Sequence, residues 1–539
     1  MKTGNRPSDP GRGASHDDRS EPPELRNDPG DGTARHATTD PVDRNLLDIA
    51  KQTSGVMTSR AVGMAIGFAS NIVFARLLGA ELLGVYVLAS TTLLFLSLLA
   101  SFGMGHTFVR YMPVSLSRND RAAAAGVFRL GTRTVLVSSV LFGLLLLALR
   151  RAVAGPIFHE PLLLPILPIV ALGTVGATFQ LVLGHTLRAL KRTAQESFCL
   201  EIVNKTAKLV LFLALVAAGM KLAGITVAFV AAYFVSAVTM LALIGRRAPF
   251  LFRGPSRLPV PVREIAAFSS MMLFVGFMNY SLSISDRMML GILGTSEDVG
   301  IYNIAFLISN VMAMVFMGFN SSFAPVISEL YHNDRSSELR SLYSSLTRTI
   351  LLIVVPAFCW LTGFGDDLLR VFGDEFADGY IALVILGVGV VVRCTVGTVG
   401  TMLVMSGHQK FNAANIVIVT AMNVGLNIVL IPRYGLLGAA IATAVSVSLI
   451  DIVGLLEVRL LIKIHPYRRA FLKVLLASLA ALAGNVALRA VTPALPPVAI
   501  LGILAATYAL FVGLLALMGL EREDRLLITK AISRIRRRG

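Results

Sequence analysis

Charged residues are scarce in this sequence. Of its 539 residues only 15% are charged, and 55% are hydrophobic, whereas soluble domains carry roughly 25% charged residues. A chain of this length needs many more charges to build solvated surfaces, so the composition excludes a soluble globular protein. The formal net charge of +17 does not come from Lys and Arg clustered with aromatics on a wet face, as in nucleic-acid binders. The composition indicates an integral membrane protein with no nucleic-acid partner.

Cysteine and catalytic motifs are also scarce. The three cysteines, Cys199, Cys359 and Cys394, stand apart in apolar stretches without CxxC or Cys/His spacing. This spacing excludes a disulfide framework and a zinc site. Walker, GxSxG and HExxH motifs are missing as well. We therefore expect no cofactor and no enzymatic activity, and any transport must draw on a gradient, the membrane potential or the substrate's own concentration.

The two ends of the chain differ from the apolar middle. Residues 1–54 carry eight basic and ten acidic residues and no aromatic one, a composition typical of disorder. They lack the basic start and short apolar run of a secretory signal. Residues 520–539 carry seven basic residues. We interpret these segments as a disordered N-terminal tail and a basic C-terminal tail, both cytoplasmic.

Between the tails, apolar runs of about 20 residues recur, the length that crosses a hydrocarbon layer of about 30 Å. They predict an all-α integral membrane fold with about fourteen transmembrane helices. The least regular run is the fifth, where Glu201, Lys205 and Lys208 share one helical stripe. The predicted spans are 55–75, 83–108, 134–149, 161–184, 199–219, 222–244, 265–290, 299–321, 346–363, 379–405, 413–432, 435–461, 470–488 and 497–519.

Basic residues are distributed unevenly between the two sides of these spans. The loops after even-numbered spans hold 24 Lys and Arg, and the loops after odd-numbered spans hold seven. The count of 24 includes Lys205 and Lys208. Basic loops stay in the cytoplasm. The pattern predicts a multi-pass protein of the cell (cytoplasmic or inner) membrane with both termini cytoplasmic, as an even number of spans requires.

An internal repeat divides the chain. Residues 78–86 (LGAELLGVY) recur as residues 293–302 (LGTSEDVGIY), and Gly84 and Gly300 stand 216 positions apart. We infer two parallel six-helix lobes, an N-lobe at 55–250 and a C-lobe at 263–463, followed by an extra helix pair at 464–519. Repeats of this kind typically enclose a substrate site and alternate its access, which favours a transporter over a membrane scaffold.

Charged residues inside spans are the functional candidates, because each is costly in lipid without a cavity or partner. Arg393, near mid-span, either pairs with an acid such as Asp451 or binds an anionic substrate. Asp451 alternatively carries a coupling proton or sodium ion. Arg60 either snorkels to the headgroups or lines a cavity. The remaining intramembrane acid, Glu457, is interpreted as interfacial.

Two further candidates lie in the seventh span. Asp286 and Arg287, near its outer end, either form a packing pair at the interface or line the cavity. Asn279, at mid-span, either lines a hydrated cavity or hydrogen-bonds between helices. The predicted substrate-binding residues are Arg393, Arg287, Arg60 and Asn279, and the predicted ion-coupling residues are Asp451 and Asp286.

Several motifs resemble one transporter family. They are residues 71–86 (NIVFARLLGAELLGVY), 285–294 (SDRMMLGILG), 299–305 (VGIYNIA) and 427–443 (NIVLIPRYGLLGAAIAT). These stretches are similar to the polysaccharide-type flippases of the multidrug/oligosaccharidyl-lipid/polysaccharide exporter superfamily. The likeness covers roughly residues 50–519. Asp286 and Arg287 match the family's motif at the end of the seventh helix, whereas Arg60 and Arg393 are inferred from depth alone.

The resemblance implies a flippase that moves a polyprenyl-diphosphate-linked oligosaccharide from the cytoplasmic to the outer leaflet, for O-antigen, capsule or exopolysaccharide synthesis. Arginine in a hydrated cavity suits a diphosphate, since it stays charged and binds bidentately. The implied partners are the lipid-linked oligosaccharide, membrane lipids, and polysaccharide polymerase or glycosyltransferase machinery. Two alternatives within the superfamily are a cation-coupled multidrug exporter and a peptidoglycan-precursor (lipid II) flippase.

Overall fold

The computed structural model describes residues 41–467, 470–492 and 497–519, and every regular element in these ranges is helical. The chain divides into a short N-terminal unit, Met1–Ala50, and a helical body, Lys51–Gly539. Residues 41–50 are the described part of the first unit, and they are helical. The predicted all-α membrane class is confirmed.

The first seven helices cover the predicted N-lobe. They are α1 (Pro41–Ala100), α2 (Met104–Ser117), α3 (Arg121–Ala152), α4 (Leu167–Ala189), α5 (Thr193–Ser197), α6 (Asn204–Ala217) and α7 (Leu222–Arg247). Short 3₁₀ turns at Pro161–Leu163 and Pro249–Leu251 and π-helical turns at Val153–Ile157 and Phe198–Val203 connect or extend them.

The remaining nine helices of the described ranges cover the predicted C-lobe and the extra pair. They are α8 (Val262–Leu293), α9 (Ser296–His332), α10 (Ser336–Arg370), α11 (Tyr380–Val396), α12 (Val399–Met405), α13 (Gln409–Tyr434), α14 (Leu436–Leu461), α15 (Ala470–Val491) and α16 (Pro497–Leu517). A 3₁₀ turn at Asp374–Gly379 precedes α11.

Ten helices in the described ranges are long and apolar enough to cross a membrane, and the bent helix α8 makes an eleventh if it counts as one span. The total of fourteen stays a prediction. The fifth predicted span contains only the 14-residue α6 after a π-helical turn. The last contains an apolar stretch of intermediate length, Gly502–Leu517.

Two glycines at positive φ interrupt the helices, one between two predicted spans and one inside a predicted span. Within α1, Gly79 adopts φ 78° and ψ 173°, so the helix stops and restarts there. The predicted span 379–405 is two helices, because Gly397 lies at φ 82° between α11 and α12. Only glycine reaches such backbone angles at low cost. The prediction of one continuous tenth helix was therefore wrong.

Helices of each predicted lobe pack mainly on helices of the same lobe. In the first, α4 packs on α3 and α7, and α6 packs on α7; in the second, α14 packs on α11 and α13, and α10 packs on α9 and α11. Helix α8 bends by 62° between Met278 and Ser283, and it contacts both α2 and α13. The division into two lobes stays a proposal.

The helix pair α15–α16 is docked on α10. Arg489 of α15 bridges Asp367, at 2.7 Å, and Asp366. Thr507 of α16 donates to the Asn485 amide oxygen at 2.9 Å. Polar contacts between helices hold them together where lipid supplies no hydrophobic force.

The predicted disorder of the tail 1–54 is wrong for its last residues. Helix α1 already begins at Pro41, because proline favours a first helical turn and the residues after it lead into an apolar helix. Residues 1–40 and the basic tail 520–539 lie outside the described residues.

Candidate functional site

A cavity with basic walls lies between α1, the π-helical turn with α6, and α9. Its volume is about 460 Å³, and we call it the basic cavity. Arg60, Glu201, Lys205 and Lys208 line one side. The α9 side is mostly apolar, with residues such as Met314. A cavity with one basic and one apolar wall suits an anionic group attached to a lipid.

Lys205 is engaged within this wall. Its ammonium lies 2.7 Å from the Glu201 carboxylate and 3.1 Å from the Gly63 carbonyl oxygen. The π-helical turn Phe198–Val203 carries Glu201 against α1, where a Cβ built on Gly63 would lie 2.6 Å from the Glu201 Cβ. Single π turns often occur at functional sites. Here the turn sets the direction in which the following stripe of charges faces.

Lys208 and Arg60 are the cations of the cavity without an acidic partner in the described part of the chain. The Lys208 ammonium stands 4.9 Å from the Phe74 ring and 5.8 Å from the Phe229 ring. Arg60 is exposed to the cavity and makes no hydrogen bond or ion pair with the described residues. No carboxylate of the described residues compensates the charge of Lys208 or Arg60, whereas the charge of Lys205 is compensated by Glu201.

Lys205 and Lys208 correct the loop assignment made from the sequence. They were counted among cytoplasmic loop residues, yet both lie on α6 and face the basic cavity. The signal was visible as one helical stripe shared by Glu201, Lys205 and Lys208. Charges at i, i+4 and i+7 occupy one face of a helix, so the stripe indicated a polar face of an otherwise apolar span.

Arg393 and Asp451 form an ion pair. The Arg393 Nε lies 3.0 Å from the Asp451 carboxylate, and the two side chains are 33% and 12% exposed. They line a smaller polar cavity of about 220 Å³ together with Asn320, Asn412 and Asn415. Of the two readings left open for Arg393, the structure supports pairing with Asp451. Contact of Arg393 with substrate stays a prediction.

Asp286 lies in a buried polar cluster of the predicted C-lobe, which we call the Asp286 cluster. Its carboxylate accepts hydrogen bonds from the Tyr302 hydroxyl at 3.1 Å and from the amides of Asn423 and Asn427 at 3.1 and 3.0 Å. The Tyr302 hydroxyl also lies 3.3 Å from the hydroxyl of Thr443. The side-chain oxygen of Asn427 is buried without a hydrogen-bond partner.

These neighbours solvate the Asp286 carboxylate without neutralising it. All three hydrogen-bond donors are uncharged, and the described residues place no basic side chain within ion-pair distance of Asp286. A buried carboxylate with amide and hydroxyl oxygens around it matches the hard oxygen ligands of a small cation and equally the surroundings of a proton site. The paired spacing of Asn423 and Asn427, four residues apart, was the sequence signal for this cluster.

Asp286 and Arg287 do not pair with each other, so the interpretation of the two as an interface pair was wrong. Consecutive side chains on a helix point in directions about 100° apart. Arg287 instead donates to Asn303 at 3.4 Å and to the Ser283 carbonyl oxygen at 3.2 Å, and stands 4.9 Å from the Phe306 ring. The side chain of Asn279 lies outside the described part of the structure.

The predicted site residues thus separate into groups. Arg60 lies in the basic cavity, Arg393 and Asp451 in the polar cavity, and Asp286 in its own cluster. Sequence reasoning missed Lys205, Lys208, Tyr302 and Thr443 as site residues.

The comparisons with known proteins agree on one superfamily. Residues 49–331, more than half of the chain, match the family described as polysaccharide biosynthesis protein, and residues 272–432 match the MatE family. The chain is 22% identical over 401 residues to a protein of Haloferax volcanii named probable low-salt glycan biosynthesis flippase Agl15, covering 74% of this chain and 81% of that protein.

Two solved structures show the same fold at low sequence identity. One is the lipid II flippase MurJ in an inward closed conformation, with a TM-score of 0.64 and 15% identity over 86% of this chain and 98% of that one. The other is an inward-facing multidrug resistance MATE family transporter of the MOP superfamily, with a TM-score of 0.60 and 17% identity over 76% and 98%. The matched family and the relative named as a flippase agree with the prediction that the chain is not an enzyme. The chain belongs to the polysaccharide biosynthesis protein family, the flippase branch of the multidrug/oligosaccharidyl-lipid/polysaccharide exporter superfamily that its motifs resemble.

Proposed function

We propose that the chain flips a polyprenyl-diphosphate-linked oligosaccharide from the cytoplasmic to the outer leaflet, with the diphosphate bound in the basic cavity. The observation that carries the proposal is the pair of uncompensated cations, Arg60 and Lys208, on one wall of this cavity. A diphosphate carries negative charge on each phosphate. It crosses the hydrocarbon layer only if cations and water inside the protein take the place of the bulk water around it. The apolar α9 wall leaves room for the prenyl chain beside the charged group.

Two cations contacting phosphate oxygens make charge-assisted hydrogen bonds, each contributing about 1.5–3 kcal/mol. Removing one of them therefore weakens substrate affinity by roughly ten- to a hundredfold. Lys205 is less suited to this contact, because binding phosphate would compete with its bridge to Glu201. Arg287 and Arg393 lie outside this cavity wall and are second candidates.

We infer that Asp286, rather than Asp451, holds the coupling ion. The Asp451 carboxylate is already compensated by Arg393, whereas Asp286 has only neutral donors and the unpartnered Asn427 oxygen beside it. A single carboxylate with amide and hydroxyl oxygens around it suits a monovalent cation, either sodium or a proton. Uptake of that cation neutralises the buried charge and alters the packing between α8, α9 and α13.

The proposed setting is the cell (cytoplasmic or inner) membrane, with both termini in the cytoplasm and two lobes that rock around the cavity. Polysaccharide polymerase or glycosyltransferase machinery is the proposed protein partner on the membrane. The charge asymmetry of the loops supports this orientation.

The test is lipid extraction from a strain that lacks the gene, complemented with variants. We expect the deletion to accumulate a prenyl-diphosphate-linked oligosaccharide and the intact chain to clear it. The Arg60→Ala and Lys208→Ala variants should each clear it slowly, the double variant should fail, and Arg60→Lys should retain part of the activity. Lys221→Ala, an exposed lysine at the start of α7, is the matched control.

Immunoblots and size-exclusion profiles separate loss of function from loss of protein. Full clearance by the abundant, folded double variant refutes the assignment of the diphosphate to the basic cavity. Accumulation of lipid II alone favours the peptidoglycan-precursor alternative. Altered drug sensitivity without any accumulated lipid favours the multidrug exporter.

A further inference from the structure

The two glycines of the internal repeat face each other in the structure. A Cβ built on Gly84 of α1 would lie 1.6 Å from the Ser296 carbonyl oxygen, and one built on Gly300 of α9 would lie 2.1 Å from the Ala80 carbonyl oxygen. The backbones of α1 and α9 therefore touch without intervening side chains. Because Gly84 and Gly300 occupy equivalent repeat positions, this contact lies where the two repeats meet symmetrically.

Beside these glycines, one glutamate from each predicted lobe accepts a hydrogen bond from the other lobe. Glu375, from the 3₁₀ turn before α11, accepts a hydrogen bond from the Ala80 amide at 2.7 Å. Glu160, from the turn before α4, accepts one from the Ser296 hydroxyl. Each glutamate thus belongs to one predicted lobe and holds a residue of the other.

The positions of these four residues follow the repeat. Ala80 and Ser296 are 216 positions apart, the same offset as Gly84 and Gly300, and Glu160 and Glu375 are 215 apart. The two glutamates therefore contact equivalent positions of the opposite repeat, one through a backbone amide and one through a hydroxyl.

Each glutamate contacts the first residue of a helix. Ala80 is the first residue after the break at Gly79, and Ser296 is the first residue of α9. Helix N-termini carry unsatisfied amides and a partial positive charge that favour a carboxylate. Glu160 is half-buried and Glu375 is exposed, so both can return to water when the contact opens. These are properties of a reversible contact.

The contact lies beside the Gly79 break of α1, far from Arg60. Twenty residues separate Arg60 from Ala80, a helical distance of about 30 Å. Alternating topology places the turns of Ala80, Glu160, Ser296 and Glu375 on the predicted outer side. There Arg76 also donates to the Val371 carbonyl oxygen at 2.8 Å.

We propose that Glu160 and Glu375 form a two-fold symmetric latch that closes the outer end of the molecule and releases when the cavity opens to the outside. The latch rests on the proposed function in requiring that the lobes alternate, and it requires no particular substrate. The glycine contact lets the helices meet closely, and the two carboxylates hold them in that position.

The test measures access from outside to a probe at Leu88, which is fully buried and packs on Gly291 of α8. A Leu88→Cys variant is labelled in intact cells with a membrane-impermeant maleimide, and the chain without this substitution, whose Cys199, Cys359 and Cys394 are buried, sets the background. We expect slow labelling with the latch intact. Glu160→Ala and Glu375→Ala should each raise the labelling rate, and together they should raise it about five- to tenfold.

Two control variants test whether the carboxylate contacts themselves set the labelling rate. Glu375→Gln retains an oxygen that accepts from the Ala80 amide and should keep labelling slow. Glu81→Ala removes an exposed carboxylate next to Ala80 and should change nothing. An unchanged labelling rate in the folded Glu160→Ala/Glu375→Ala chain overturns the latch. If the melting temperature also falls, the two contacts only stabilise the fold and do not control access.

Faster labelling only from the cytoplasmic side, measured in inverted vesicles, also overturns the proposed outer closure. The labelling requires no glycan. If the deletion strain accumulates no lipid-linked oligosaccharide but the double variant is labelled fast, the proposed substrate is contradicted and the latch is supported. If the oligosaccharide accumulates but labelling stays slow, only the latch is contradicted.

Discussion

Asp286→Asn is the substitution that most directly tests ion coupling. It preserves side-chain shape and removes the charge from a residue that is 3% exposed and surrounded by three neutral donors. Loss of the charge relieves a desolvation cost, while an amide at position 286 satisfies the Asn423 and Asn427 donors less well. The amide also gains an acceptor, the unpartnered Asn427 oxygen. These effects oppose each other, so we expect a stability change within about 1 kcal/mol in the absence of the ion.

The ion itself should produce the larger difference. A cation present at about 100 times its dissociation constant stabilises the folded chain by roughly 2.7 kcal/mol. An unfolding entropy of about 2.1 cal/mol/K per residue implies roughly 1 °C per kcal/mol for a chain of this length. The intact protein should therefore melt about 2–3 °C higher in sodium chloride than in choline chloride, and Asp286→Asn should lose this difference.

Thermal unfolding of the purified protein in the two salts, at neutral and mildly acidic pH, is the assay. A pH-dependent melting temperature without a sodium effect identifies the proton as the ion. Asp451→Asn is the matched control, and it should melt lower in both salts while retaining the difference. Retention of the sodium or pH effect by Asp286→Asn refutes the assignment, and its loss in Asp451→Asn alone transfers the site to Asp451.

Two further predictions concern charge pairs. Arg393→Ala leaves the buried Asp451 unpaired and should lower the free energy of unfolding by about 2 kcal/mol. This loss is smaller than for a fully buried pair, because Arg393 is one-third exposed. If the Arg393→Ala/Asp451→Ala chain regains stability but still fails to flip lipid, Arg393 contacts the substrate. The Arg257 guanidinium and the Ala123 amide hold the pKa of Asp120 below its ordinary value, so the Asp120–Arg257 contact should persist above about pH 4 and be lost as pH falls through that lowered pKa. Limited proteolysis of the linker 248–261 should therefore accelerate in acid, and Asp120→Asn should remove the acceleration; acid-accelerated cleavage in that variant contradicts the prediction.

Much of the helical architecture is predictable from local patterns. The apolar runs located most of the long helices of the described residues, because hydropathy over some 20 residues is a property of the segment itself. The predictions failed where a single backbone position decides, as at Gly397, which separates α11 from α12. They also failed where a charged face interrupts the apolar content of a helix, as on α6 with Lys205 and Lys208.

The candidate site was predictable only in part. Depth in the membrane selected Arg60, Asp286, Arg393 and Asp451, since a charge in lipid requires a partner or a cavity. Depth does not tell which of the two alternatives applies. Arg393 pairs with Asp451, 58 residues away. Asp286, next to Arg287 in sequence, instead accepts hydrogen bonds from Asn423 and Asn427.

The sequence by itself determined the membrane class, the approximate helices, the sidedness expected from its basic loops and the offset of the internal repeat. These properties depend on composition and spacing along the chain. The tertiary structure alone decided which charges are compensated, which remain uncompensated in the basic cavity, and that Glu160 and Glu375 each reach across to the opposite repeat. Those outcomes depend on how each helix is rotated and packed against the others, and the mean hydropathy of a span carries no information on that rotation.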